Sequence, residues 1–123
     1  MSVKLLIIDD EPEILFLLNQ RAQAYNMACE LELTGEAGVK SAKTKNPDII
    51  LLDLMLPGIS GIDVIKLLRS DSITKNIPII MLSAVGQQSV KNECIVAGAN
   101  AYFTKGDDLE GLFDLVNQFL ATK

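Results

Sequence analysis

The chain has no histidine and no tryptophan, only two cysteines, and an aromatic content of 5%. Without an imidazole, Ser/His and Cys/His catalytic pairs are excluded. With two distant thiols, Cys29 and Cys94, a zinc site is essentially excluded too. A disulfide between them is disfavoured in a reducing cytosol, so both are expected as small, buried, apolar side chains. Positive charge is scarce: 11 Lys and Arg stand against 16 Asp and Glu, a net charge of −5. A duplex-binding surface needs clustered cations. Lys40, Lys43 and Lys45 form the one such cluster, and their spacing fits a solvated helix face, so direct nucleic-acid binding is not expected. No apolar run approaches the roughly 20 residues that cross a bilayer. The start, Met1-Ser2-Val3-Lys4, opens into a strand-like run that ends in acid, unlike a signal peptide. A soluble, cytoplasmic protein with no membrane partner is the expectation. A glycine-rich phosphate loop is also missing, which leaves nucleotide binding unsupported.

What the chain does have is a rhythm. At 123 residues and 49% apolar content it is expected to form one domain over residues 1–123 with a substantial core. Short apolar runs alternate with helical patterns, which predicts βαβ units and a parallel sheet. The expected strands are about Lys4–Ile8, Ala28–Leu33, Asp48–Leu52, Ile77–Leu82 and residues 101–104. In the second, Glu30 and Glu32 alternate with Cys29, Leu31 and Leu33, the pattern of an edge strand with one wet side. Pro12 sits near the start of the first helix, where its missing N–H costs nothing. Ile14, Leu17, Leu18, Ala22 and Tyr25 form its predicted apolar face. Further helices are expected over about Glu36–Lys45, Gly61–Arg69 and Gln87–Ala97, the last stopped by Gly98. Asp107 and Glu110 have capping-box spacing before the apolar stripe of Leu109, Leu112, Phe113, Val116, Phe119 and Leu120.

Polar chemistry follows the apolar runs. Leu5-Leu6-Ile7-Ile8 leads into Asp9-Asp10-Glu11, Ile49-Ile50-Leu51-Leu52 into Asp53, Ile79-Ile80-Met81-Leu82 into Ser83, and Ala101-Tyr102-Phe103-Thr104 into Lys105. In an open α/β sheet, ligands sit beyond the carboxyl ends of the strands. Clustered carboxylates raise one another's pKa, and a hard divalent cation such as Mg²⁺ relieves the repulsion. Asp53 is a candidate nucleophile toward phosphorus, with Lys105 and Ser83 able to neutralise and bond the transferring oxygens. The plain alternatives are helix capping by the acids and Ser83, and an ordinary surface role for Lys105. Asp53, alone after four apolar residues, is not explained by capping.

Taken together, Asp9-Asp10, Asp53-Leu54-Met55-Leu56-Pro57-Gly58 with Gly61 beyond it, Ser83-Ala84 and Lys105 resemble the response-regulator receiver domain of two-component signalling. The resemblance runs from about Val3 to Leu120. It implies a five-stranded parallel sheet in order 2-1-3-4-5, helices on both faces, and a phosphorylation switch rather than a conventional enzyme. It implies Asp53 as phosphoacceptor, Asp10, Asp53 and the Met55 carbonyl as Mg²⁺ ligands, and Asp9 supporting them through water. Ser83 is similar to the switch hydroxyl and Lys105 to the family's lysine. Tyr102 resembles the switch aromatic, although a strand aromatic packed in the core reads equally well. The implied donor is a phosphohistidine on a histidine kinase or phosphotransfer protein, and the implied output surface combines the fourth helix, fifth strand and fifth helix. A downstream protein target or a fused output domain would read that surface, with dimerisation on phosphorylation left open.

Two features depart from the family pattern. Gly106 stands where a proline usually follows the lysine through a cis bond, so a trans or strained peptide and an altered turn are expected. Met55 and Val85 are apolar at positions that border the phosphoryl group, which suggests a slowly hydrolysing phosphorylated state. The competing reading is a pseudo-receiver that binds proteins without taking phosphate. An aspartate-nucleophile phosphohydrolase is rejected because Met55 occupies the place of its second aspartate. Two organisations stay open: a single-domain regulator acting by contact, or the receiver of a longer protein.

Overall fold

The computed structural model describes residues 3–121, and the secondary elements follow the apolar rhythm closely. In chain order they are β1 (Val3–Ile8), α1 (Pro12–Ala24), β2 (Met27–Glu32), α2 (Gly35–Lys45) and β3 (Ile49–Asp53). Then come α3 (Gly61–Arg69), β4 (Ile79–Ser83), α4 (Gln88–Ala97), β5 (Ala101–Thr104) and α5 (Leu109–Ala121). The strands form one parallel sheet in the order β2-β1-β3-β4-β5. This is the doubly wound arrangement expected from the sequence.

Strand side chains alternate between the two faces of the sheet. Leu6, Ile8, Ile50, Leu52, Ile79 and Met81 pack with Val64, Ile65 and Leu68 of α3 and Cys94 of α4. Leu5, Ile7, Ile49, Leu51, Ile80 and Leu82 pack with Leu15, Leu18 and Ala22 of α1 and Leu112, Phe113 and Val116 of α5. Both faces are covered, so Leu5–Ile8 of β1, Ile49–Leu52 of β3 and Ile79–Leu82 of β4 can be unbroken apolar runs, as buried parallel strands are. Among the described residues no helix is long and apolar enough to cross a membrane.

Local boundaries moved where tertiary contacts overrode the pattern. β2 lies at the sheet edge as expected, but Leu31 and Leu33 are exposed while Glu30 and Glu32 are half-buried, so its alternation did not report a wet and a dry side. On α1, Leu17 and Tyr25 are partly exposed and Leu15 takes a core place. Pro78, which lacks a donor, stays outside β4 and instead accepts from Ile50 N–H, so that strand starts at Ile79. At the start of α5 the carboxylate that accepts a backbone N–H, that of Glu110, belongs to Asp108 rather than Asp107. Cys94 is buried, whereas Cys29 is only half-buried. Burial nevertheless pushes the Cys29 thiol up to about 11, which keeps it protonated and unreactive.

Candidate functional site

The parallel register places the chemistry. Ile8 pairs with Leu52, so Asp9 and Asp53 emerge side by side. Ser83 pairs with Thr104, so Lys105 leaves the sheet beside Ser83, and its backbone N–H donates to the Ser83 carbonyl at 2.7 Å. An open cleft of about 270 Å³ results, lined by Asp10, Glu11, Asp53, Met55, Ser83, Ala84, Val85 and Lys105. Asp9, at 0% exposure, lies beneath it.

Capping does not account for the acids. Glu11 is the N-cap residue of α1, yet its side chain makes no cap bond. Its N–H instead donates to Asp9 Oδ1 at 2.9 Å. One carboxylate oxygen from each of Asp9, Asp10, Glu11 and Asp53 lies within 4.8 Å of the others. The Lys105 ammonium offsets part of this charge, with Nζ at 2.9 Å from Asp9 Oδ2, 3.1 Å from Glu11 Oε1 and 3.3 Å from Asp53 Oδ1. Burial pulls the ammonium down, but these carboxylates outweigh it and hold Lys105 above its ordinary value.

Asp53 is 4% exposed. Burial, and then the neighbouring Asp9 charge, push its carboxyl up to about 6; Lys105 and the Met55 N–H, 3.4 Å from Oδ1, offset this only in part. Such a group is a better nucleophile than an ordinary aspartate and still largely ionised at neutral pH. The loop behind it is held by Gly61, whose N–H donates to Leu54 O at 2.9 Å. A Cβ on Gly61 would stand 2.5 Å from the Asp53 carbonyl oxygen and 2.9 Å from Leu54 Cα.

On the opposite wall, Ser83 does not cap α4, whose N-cap is Gln87. Its Oγ accepts from Val85 N–H at 3.0 Å, and the Val85 carbonyl accepts from the Tyr102 hydroxyl. Tyr102 packs against the core as a strand aromatic and also bonds the loop after β4. Lys91 Nζ lies 5.6 Å from its ring centroid. Met55 is 69% exposed at the mouth. Among the described residues no peptide bond is cis, and Gly106 takes a φ of +96°, so glycine absorbs the turn after Lys105.

The structure brings together Asp9, Asp10, Asp53, Met55, Ser83 and Lys105, with Tyr102 one bond removed. The sequence reading missed the Glu11–Lys105 ion pair and the Val85 carbonyl. An acid at a helix start carries no signal that a lysine from the last strand will reach it.

The oxygen-only donor set fits a hard divalent cation. Burial first and the Asp9 charge second keep the Asp53 carboxyl raised even with the Lys105 ammonium beside it.

The family model for the response regulator receiver domain matches residues 5–117. The chain is 37% identical over 117 residues to the DNA-binding dual master transcriptional regulator RpaA of Synechocystis sp., covering 95% of this chain and 48% of that protein. It is 31% identical over 123 residues to sporulation initiation phosphotransferase F of Bacillus subtilis, covering 100% of this chain and 98% of that one. The chain thus spans about half the length of RpaA and of the phosphate-regulon regulator PhoB of Pseudomonas aeruginosa, which it also matches. The receiver domain of the Francisella response regulator 1452 superposes with a TM-score of 0.91 at 29% identity, covering 99% of this chain and 100% of that one.

Proposed function

The chain belongs to the response regulator receiver domain family, and from that premise we propose that Asp53 is its phosphoacceptor and the cleft its switch. The observation that carries this is Lys105 bridging Asp9 and Asp53 at the ends of β1 and β3. In the reaction, an Asp53 carboxylate oxygen attacks phosphorus on a partner's phosphohistidine. The new P–O bond makes an acyl phosphate. The P–N bond breaks, and its electron pair stays on the imidazole nitrogen, which takes up a proton.

Asp10, Asp53 and the Met55 carbonyl would hold Mg²⁺, with Asp9 behind them. When bound, the ion neutralises charge on the transferring phosphoryl oxygens. Lys105 supplies a point charge to another oxygen. Ser83 has its Oγ lone pair on Val85 N–H, which leaves its O–H to donate to a third.

Output would follow from the same bonds. Phosphorylation adds about −1.5 to −2 charge and new acceptor oxygens. A Ser83 hydroxyl drawn toward them shifts Val85, which Tyr102 also holds from β5. The surface of α4, β5 and α5 would then change for a downstream protein or a fused output domain. This unit, residues 1–123, would act as one domain in the cytoplasm, with a histidine kinase or phosphotransfer protein as donor.

The test is intact mass after incubation with acetyl phosphate, with and without Mg²⁺, beside Asp53→Asn. A Mg²⁺-dependent gain of one phosphoryl group, absent in the variant, is expected. No gain in a folded protein that also fails to bind beryllofluoride would favour a pseudo-receiver acting through its surfaces alone.

A further inference from the structure

We propose that Glu11 is a positioning residue that occupies one Lys105 donor until a phosphoryl oxygen displaces it, so that Glu11 competes with the incoming anion. This rests on the phosphoacceptor reading of Asp53. An ammonium has three N–H donors and no more. In this structure three carboxylates lie within ion-pair distance of Lys105 Nζ, Asp9 at 2.9 Å, Glu11 at 3.1 Å and Asp53 at 3.3 Å; Glu11 Oε1 accepts a hydrogen bond from it, whereas the buried Asp9 Oδ2 has no hydrogen-bond partner. A phosphoryl oxygen that takes the donor now held by Glu11 displaces that carboxylate.

The three are not equally free to leave. The Asp9 side chain is 0% exposed, so releasing it would strand a buried charge. Asp53 is the group being phosphorylated, and its side chain is 6% exposed. Glu11 is 54% exposed and can be rehydrated at once. The exchange therefore falls on Glu11. Its carboxylate sits at the cleft mouth, standing where a phosphoryl oxygen would later accept from Lys105, and its charge opposes the approach of an anionic donor.

The experiment compares wild type with Glu11→Gln, Glu11→Ala and Glu11→Asp, each checked for native circular dichroism. Initial phosphorylation rates are measured against acetyl phosphate concentration at saturating Mg²⁺. Beryllofluoride and Mg²⁺ affinities are measured by titration. For Gln and Ala the apparent KM is expected to fall about two- to fivefold, the scale of one exposed ion pair, with the limiting rate nearly unchanged. Beryllofluoride should bind more tightly by a similar factor. The gain should shrink in high salt, and with phosphoramidate, which carries less negative charge. Glu11→Asp keeps the charge and should stay near wild type.

An unchanged KM and beryllofluoride affinity in a phosphorylated wild type and its variants overturns this inference alone. Mg²⁺ binding that weakens about tenfold in Glu11→Gln overturns it as well, because Glu11 would then serve the metal. Failure of the wild type to gain a phosphoryl group removes the phosphoacceptor reading and this inference with it.

Discussion

Lys105 Nζ stands closer to Asp9 than to Asp53, 2.9 Å against 3.3 Å, and both carboxylates are buried. Burial, and then the neighbouring Asp9 charge, raise the Asp53 carboxyl from 3.8 to about 6, and Lys105 offsets this only in part. Between those values the folded state holds more protons than the unfolded state, so stability falls as pH rises from about 4 to about 6. Urea unfolding in magnesium-free buffer should show this as a midpoint that declines across the window. Asp53→Asn should flatten the decline and be the more stable protein at pH 7. An Asn variant no more stable than wild type there would contradict the cost assigned to burying the charged Asp53.

Mg²⁺ should reverse that loss. A ligand that binds only the folded state stabilises it in proportion to the logarithm of its concentration over Kd. Thermal unfolding at pH 7 should move upward with added Mg²⁺ in wild type. Asp10 is exposed, so Asp10→Asn should unfold like wild type without metal but lose most of the upward shift. An unreduced shift would remove Asp10 from the ligand set.

Lys105→Met keeps the length of the side chain and removes its charge. Asp9 would then be a buried carboxylate with only the Glu11 N–H as partner. The variant should lose about 1–3 kcal/mol in magnesium-free buffer, the scale for an unsatisfied buried group, and recover part of it in Mg²⁺. Phosphorylation by acetyl phosphate should slow sharply. Rates equal to wild type would show that Lys105 is structural only.

Gly61→Ala tests the support behind Asp53. The added methyl meets backbone, not flexible side chain, so the loop from Asp53 to Gly61 must shift. A cost of about 1–3 kcal/mol is expected, typical of overpacking, together with weaker Mg²⁺ binding. A stable variant with native Mg²⁺ affinity would mean that the loop tolerates the displacement.

Met55 and Val85 line the cleft and offer no side-chain group to orient an attacking water. The acyl phosphate should therefore be long-lived. Met55→Asn combined with Val85→Glu should shorten its lifetime, read as loss of the phosphoryl mass after the donor is removed. An unaltered lifetime would leave slow hydrolysis without this cause.

The alternating apolar runs determined the sheet, because a strand covered on both faces must be apolar throughout, and Ile49–Leu52 can be little else. They also determined that Asp53, Ser83 and Lys105 share one end of it, since parallel strands all deliver their carboxyl ends to the same edge. The edge strand β2 was less legible: its alternation was real, but at a sheet edge the cover over each side chain is set by neighbouring loops and helices. Only the tertiary structure decided how the charges divide. Lys105 arrives from β5 and Glu11 from the start of α1, and no spacing rule relates them. Which of three carboxylates an ammonium favours depends on tenths of an ångström and on which oxygen water can reach. The link from Ser83 through Val85 to Tyr102 was hidden for a similar reason: it runs through backbone atoms of Val85, which every residue carries and no side-chain pattern reports.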